Sequence, residues 1–250
     1  MPRIDTIVLR SADPEAQRDF YRETLGMRDR DDGTIGYAEC EAGLLFEAGD
    51  GPYEPTPKDL YWKIALSVPN IDLACRQLAD KGVEVGTPRQ VGDIAYLAHF
   101  GDPAGFTIEL IDHWFEGERP PQEHDTRRLG GGAHLSLLTL RSHDVEQADR
   151  TATALGMAPL SVVPAPDLGF TLYFYGFAAE PPPNPDLYAV ENRTWVYRLP
   201  ETVLEVVHRP QQEPMAQPGE GAAGYGGATV SGAGRVFDDE YLSIRCVGKP

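Results

Sequence analysis

Residues 7–27 read IVLRSADPEAQRDFYRETLGM, and this stretch decides the fold because the chain repeats it. Ile7-Val8-Leu9-Arg10-Ser11 has the β-branched, apolar character of a strand. Asp13 is a good helix N-cap, and Pro14 suits the first helical position. Phe20, Tyr21 and Leu25 then fall at helical spacing, and Gly26 can adopt the left-handed conformation that ends a helix. The same unit returns at residues 64–82, IALSVPNIDLACRQLADKG, where Ile71, Ala74, Cys75 and Leu78 form an i, i+3, i+4, i+7 stripe. It returns again at residues 138–157, LTLRSHDVEQADRTATALGM, with Asp144 as cap and Val145, Ala148, Ala152 and Leu155 as inner face.

Short strand-like runs follow each helix. They lie at residues 36–40 and 44–46 after the first, at 83–85, 94–100 and 106–111 after the second, and at 170–175, 194–197 and 203–207 after the third. The repeating unit is therefore β-α-β-β-β, and the expected fold class is α+β. Residues 116–132, EGERPPQEHDTRRLGGG, read as a linker between two domains. Residues 181–185 read as a surface loop, and residues 211–227 as a low-complexity, mobile stretch. A fourth unit starts at Ala228-Thr229-Val230 but lacks a helix, leaving only a strand at residues 241–245. The expected organisation is a complete domain over 1–115 (modules 4–50 and 61–115), the linker, and a curtailed domain over 133–250.

Composition excludes several classes. Twenty-two Lys and Arg face 39 Asp and Glu, a formal charge of −17. Nucleic acid and anionic membrane surfaces both need clustered cations, so neither is expected as a partner. No apolar run approaches the ~20 residues of a membrane span. Residues 1–6 lead into a strand without the basic and apolar regions of a secretory leader. Cys40, Cys75 and Cys246 are odd in number and far apart, so neither a disulfide framework nor a zinc site is indicated. Each is expected as a small buried or half-buried residue in a reducing cytoplasm. The 26 Gly and 22 Pro predict many turns.

The strand–cap–helix units, together with residues 102–112, DPAGFTIELID, resemble the vicinal oxygen chelate superfamily, which includes glyoxalase I, bleomycin-resistance proteins and extradiol dioxygenases. Residues 195–210, WVYRLPETVLEVVHRP, resemble the glyoxalase I branch. The resemblance implies paired modules that form half-open, cup-shaped mixed sheets, here as two tandem domains. It implies metal ligands on the cup wall, drawn from the first and last strands of each module. Counting back three residues from the aligned Leu of each first strand (Val230 in the fourth module) places those positions at Thr6, Lys63, Leu137 and Gly227. Glu109 and Glu205 stand at last-strand positions; in the first module the position falls near Glu47, or at Leu44 or Leu45.

That departure bears on chemistry. A non-haem iron site needs two His and a carboxylate, and glyoxalase chemistry needs a metal to polarise the enediolate oxygens. Neither assembles from Thr, Lys, Leu and Gly, and an extradiol dioxygenase is not expected. No cofactor is predicted. A divalent metal would have to use a different set, for which Glu109, His113 and His99 are the candidates. Lys63 would instead pair with Glu109 and supply a positive charge in place of the ion. Arg10 and Arg141 occupy matching places after their first strands, where relatives bind a carboxylate, so Thr6, Arg10, Arg141 and Glu205 are the candidate ligand-binding residues. His124 and His143 read as solvated. His134 and His208 face away from the cup unless a bulge intervenes. Tyr37, Tyr96, Phe100, Tyr173, Tyr175 and Trp195 are candidates to line it.

Two function classes follow. One is a glyoxalase-like lyase or isomerase, with Glu109 as base and Lys63 as electrostatic stabiliser, acting on a small carbonyl-bearing or aromatic molecule. The other is a non-catalytic binding protein of the bleomycin-resistance type. Relatives often pair modules between chains, which adds a homodimer to the expected partners.

Overall fold

The computed structural model describes residues 2–121, 123–210, 213–219, 221–232 and 237–247. The first module holds β1 (Arg3–Ser11), α1 (Pro14–Asp19), β2 (Arg28–Asp29), β3 (Ile35–Gly36) and β4 (Gly43–Ala48). The second holds β5 (Tyr61–Val68), α2 (Ile71–Asp80), β6 (Arg89–Val91), β7 (Ala95–Gly101) and β8 (Thr107–Asp112). The third holds β9 (His134–Ser142), α3 (Val145–Leu155), β10 (Ala158–Ala165), β11 (Phe170–Gly176), α4 (Glu191–Val196) and β12 (Val203–His208). The fourth holds β13 (Gly224–Ser231), β14 (Phe237–Asp239) and β15 (Ile244–Val247).

The capping residues act as expected. The side chains of Asp13, Asn70 and Asp144 accept the amides of Ala16, Leu73 and Gln147, satisfying N–H groups that the first turn leaves free. Beyond α1 the chain widens into a π-helical turn at Phe20–Thr24 before Gly26 reverses it at φ +81°. Three expected strands are not formed: residues 83–85 pair with nothing regular, residues 36–40 keep only Gly36 in β3, and residues 194–197 lie mostly in α4. The pattern Thr-Trp-Val-Tyr has strand propensity, but packing into a cup overrides it.

The main correction concerns pairing. Among the described residues the strand orders are β14-β15-β13-β1-β4-β3-β2 and β10-β11-β12-β9-β5-β8-β7-β6. The first module therefore shares its sheet with the fourth, and the second with the third. The sequential pairing inside 1–115 and 133–250 does not occur. Each sheet is mixed: β1 and β13 are antiparallel at one centre, β5 and β9 at the other, and each centre strand runs parallel to its module's last strand. Residues 116–132 thus join two modules of one sheet. The crossings between sheets lie at 49–60 and 209–223, and they bridge one another at Asp50–Ala222 and Asp59–Ala216. The low-complexity stretch is held there by backbone bonds from Leu60 to Ala216 and from Ala216 to Lys58. Its Gln211, Gln212 and Glu220 lie outside the described residues.

One core runs between the sheets. It takes Ile7 and Leu9 from β1, Ile64, Leu66 and Val68 from β5, Leu138 and Leu140 from β9, and the inner faces of α2 and α3. The Asp102-Pro103-Ala104-Gly105 turn locks into it: Asp102 accepts the amides of Ala104 and Phe106, the amide of Gln17 and the hydroxyl of Tyr21. Gly105 has φ +96°, and a Cβ there would meet the Tyr53 carbonyl oxygen at 2.7 Å, so glycine is required. Buried Glu41 accepts the amides of Tyr37, Ala38 and Leu135, tying the first module to the third. Of the cysteines, Cys246 is buried and Cys75 half-buried as expected, but Cys40 is exposed, with its thiol on the Pro200 carbonyl.

A second cluster fills the cup of the β5–β9 sheet. Ala65, Ile111 and Leu137 on the cup face meet Val196, Tyr197 and Leu199, which enter from α4 and the turn after it. Tyr197 donates its hydroxyl to the Ile94 carbonyl, and Arg193 pairs with Asp93 at 2.6 Å, so the insertion is clamped to the β6–β7 hairpin.

Candidate functional site

On β5 the alternation sends Ile64 and Leu66 into the shared core, while Lys63 and Ala65 face the cup. A register shift between Tyr61 and Lys63 sets Lys63 opposite Thr139 on β9. Glu109 stands opposite Ala65 and His99 opposite Glu109, while Glu205 stands opposite Thr139. These pairings gather His99, Glu109, Lys63, Thr139 and Glu205 into a row across β7, β8, β5, β9 and β12 that steps by two residues at β5, where Glu109 lies opposite Ala65 and Thr139 opposite Lys63. The row exists because the cup-facing positions of five strands come into register, although they are spread over more than a hundred residues of sequence.

The ammonium of Lys63 donates to Glu109 Oε1 at 2.6 Å, Glu205 Oε2 at 2.9 Å and Thr139 Oγ1 at 3.1 Å, which uses all three of its protons. Thr139 donates to Glu205 Oε2 at 2.6 Å. The Lys63, Glu109 and Glu205 side chains are 3%, 6% and 4% exposed. His99 Nε2 lies 2.8 Å from Glu109 Oε2, an ion-pair distance at which the ring N–H is not aligned for a hydrogen bond, and its side chain is 40% exposed. Burial alone would lower the affinity of Lys63 for its proton, but Glu109 and Glu205 reverse this and hold it above the usual lysine range. Burial pushes Glu109 up; Lys63 and His99 outweigh it and hold the carboxyl below its ordinary value. Both groups are therefore ionised at neutral pH.

This row forms the charged floor of a cavity of about 180 Å³. Its walls are apolar, chiefly Trp62, Ile94, Leu97, Ile111, Phe170 and Leu172, with Tyr197 from the insertion and Arg89 from β6. Trp62 and Phe170 meet edge to face at 6.3 Å, and Lys63 lies 5.1 Å from the Trp62 ring centre.

The other expected site residues lie elsewhere. Thr6 and Arg10 are on β1, in the other sheet, where Arg10 pairs with Glu47 at 3.3 Å beside a shallow cavity. Arg141 is spent on the carbonyl oxygens of Thr56, Asp59 and Tyr61 and stacks on Trp62 from outside the cavity. His113 does not meet Glu109 and His99; its ring lies 5.5 Å from that of His134. A register shift at Ser136, the bulge on which the facing of His134 depended, places His134 opposite Ser67. Burial lowers His113 to about 3 and His134 to about 4. None of the six aromatics expected in the cup lines the cavity: Phe100 and Tyr175 are in the shared core, and Tyr37 packs against it and donates its hydroxyl to the Leu25 carbonyl. Trp62, Phe170 and Tyr197 line it instead. Thr139 was also missed, although its place opposite a last-strand Glu could have been found by the counting that located Lys63.

The residues do not fit a metal ion at the family positions. An ammonium has no lone pair to give a metal, and Lys63 already stands between the two carboxylates. Among the described residues no group of three His, Cys, Asp or Glu could hold one.

Residues 3–110 match the Glyoxalase/Bleomycin resistance protein/Dioxygenase superfamily. In structure the chain is similar to glyoxalase I from Zea mays, at 20% identity, over 92% of this chain and 74% of that one, with a TM-score of 0.61. It is also similar to a putative dioxygenase from Bacillus subtilis, at 17% identity, over 96% of this chain and 71% of that one, with a TM-score of 0.55. An antibiotic binding protein from Streptomyces aligns at 24% identity over 44% of this chain and 94% of its own, with a TM-score of 0.34. No curated protein matches the chain in sequence.

Proposed function

Residues 3–110 belong to the glyoxalase, bleomycin resistance protein and dioxygenase superfamily, and from that premise we propose that the cup of the second and third modules is a site for a small carbonyl-bearing molecule, isomerised by proton transfer. The observation that carries this reading is the buried Lys63–Glu109–Glu205 cluster on the floor of an apolar cavity. Lys63 takes the place of a metal ligand and, as an ammonium, supplies a positive charge where the family keeps its ion.

Glu109 is the base. In a ligand with a hydroxyl on the carbon next to its carbonyl, it removes that carbon's proton; the electron pair moves onto the carbonyl oxygen to give an enediolate, the proton returns to the former carbonyl carbon, and the hydroxyl proton passes to the former carbonyl oxygen as the hydroxyl-bearing carbon becomes the new carbonyl. No oxidant or reductant is consumed. Lys63 stabilises the developing oxyanion in a site shielded from water, where such charge–charge interactions are strongest. As the ammonium turns toward that oxyanion, Glu109 loses the charge that held its pKa down. Burial, which opposes its ionised form, then makes it a stronger base at the moment a base is needed. Thr139 and Glu205 keep the ammonium in reach throughout. The three free cysteines fit a reducing cytoplasm.

A second reading, binding without turnover, has one observation in its favour: all three protons of Lys63 are already engaged. One experiment separates the two. Hydroxy-carbonyl compounds and hemithioacetals are offered to the protein and to Glu109→Gln, with isomerisation followed by NMR and binding by thermal shift. Turnover lost at least a hundredfold in Glu109→Gln, with the thermal shift retained, supports the isomerase. Thermal shifts in both proteins with no turnover in either support the binder.

A further inference from the structure

The cavity also holds a charge that the mechanism leaves unused. Of its lining residues, Lys63, Arg89, Glu109 and Glu205 are ionic. Three of these are engaged with one another on the floor. Arg89, exposed on the edge strand β6 at the mouth, has no ion pair or side-chain hydrogen bond among the described residues. Two more guanidinium groups back the aromatic wall from outside. Arg141 lies 5.4 Å from the centre of Trp62, and Arg209 lies 5.1 Å from that of Phe170. No lining carboxylate is free. Among the described lining residues Arg89 is therefore the unpaired guanidinium, in a chain with 39 acidic and 22 basic residues.

We propose that Arg89 selects the ligand's charge: the cavity takes a small, flat, apolar molecule carrying one carboxylate, which Arg89 holds at the mouth while the apolar body lies against Trp62 and Phe170. The inference rests on the reading of this cavity as the ligand site. The guanidinium is planar, offers two parallel donors to a carboxylate and stays charged at any working pH. An anion deeper in the cavity would face Glu109 and Glu205; one at the mouth meets Arg89. The volume, about 180 Å³, is below the ~300–1,000 Å³ of pockets for drug-sized molecules, so the apolar body is restricted to one or two rings.

Matched pairs of acid and amide test this: benzoate with benzamide, and 2-naphthoate with 2-naphthamide. Binding to the full chain is measured by calorimetry and thermal shift at 20 and 500 mM salt, with Arg89→Gln and Arg89→Lys alongside. The expected result is at least tenfold tighter binding of the acids at low salt, narrowing at high salt. In Arg89→Gln the acids lose that tenfold while the amides bind unchanged; Arg89→Lys keeps part of the preference. Equal binding of acid and amide, or a preference that survives Arg89→Gln, overturns the proposal and leaves the ligand site standing. If neither acid nor amide binds, the ligand-site reading fails and the proposal with it.

Discussion

The two cups are built from the same module and hold their charges differently. In the β5–β9 sheet, the first-strand positions hold Lys63 and Leu137, and the residues opposite Ala65 and Thr139 on the last strands are Glu109 and Glu205. In the β1–β13 sheet, the first-strand positions hold Thr6 and Gly227, and the last-strand residues at the same register, opposite Val8 and Thr229, are Leu45 and Arg245. The first cup is closed by α4 and the turn after it; the second is an open hollow of about 670 Å³. The charges differ accordingly. Arg10–Glu47 and Arg245–Asp238 are solvated pairs, with side chains between 28% and 63% exposed, whereas the Lys63 cluster is dry. Residue type alone does not decide how strongly a charged group interacts here. The insertion between β11 and β12 covers one cup, and the charges beneath it are shielded from solvent and interact more strongly than the solvated pairs.

The largest expected effect would test that contrast directly. Lys63→Met leaves Glu109 and Glu205 buried without the ammonium between them and should cost about 3–5 kcal/mol, the usual range for breaking a buried pair. At ~2–4 °C per kcal/mol for a chain of this size, calorimetry should show Tm falling by roughly 10 °C. Adding Glu109→Gln and Glu205→Gln should restore most of the loss, because the charges are then removed together. If Lys63→Met and Arg245→Met destabilise equally, the distinction between the cups fails.

Acid provides the next test. His113 and His134 are held by burial well below an ordinary imidazole, so the unfolded chain binds more protons than the folded one between about pH 6.5 and pH 3–4. Their stabilising contribution is complete above pH 6.5 and is lost as pH falls through that window, by at most ~1.4 kcal/mol per pH unit per ring. Glu109, shifted down, adds to acid lability only below the ordinary carboxylate range. Denaturant unfolding at pH 7.5 and 5.0 should show a clear loss at the lower pH, and His113→Asn with His134→Asn should flatten it. An unchanged pH profile in the double variant would show that other groups carry the dependence.

Two smaller effects sharpen the comparison. Tyr197→Phe removes the hydrogen bond that pins the insertion to Ile94 and should cost about 1 kcal/mol in chemical unfolding, with faster amide exchange in residues 191–199. Arg10→Ala and Arg245→Ala should each change stability by no more than ~0.5 kcal/mol, as solvated pairs do.

Lys63 and Glu109 could be located from sequence because a repeat aligned on its core leucines carries register with it. Once Leu66 is set in the core, Lys63 and Glu109 must face the other way, on neighbouring parallel strands. His99 was named for another reason, as a metal candidate, and the pairing of β7 with β8 brings it to the same carboxylate. Thr139, Arg89 and Tyr197 were not found. Thr139 matters only because β9 lies beside β5, Arg89 only because a hairpin edge closes over the mouth, and Tyr197 only because a segment with strand propensity folds as a helix inside a cup.

Caps, alternation and the repeated glycine are local signals, and the sequence by itself determined the modules, their number and the α+β class, because most of each module's hydrogen bonds and faces are set within one contiguous stretch of chain. Which modules share a sheet was decided only in the tertiary structure. β1 offers β13 the same alternating edge it could offer β5, so the choice lies in contacts made far apart in the chain: the crossings zipped at Asp50–Ala222 and Asp59–Ala216, and Glu41 bound to Leu135. That choice places Glu205 beside Lys63. Without it the ammonium would face one carboxylate, and the closed, charged floor would not form.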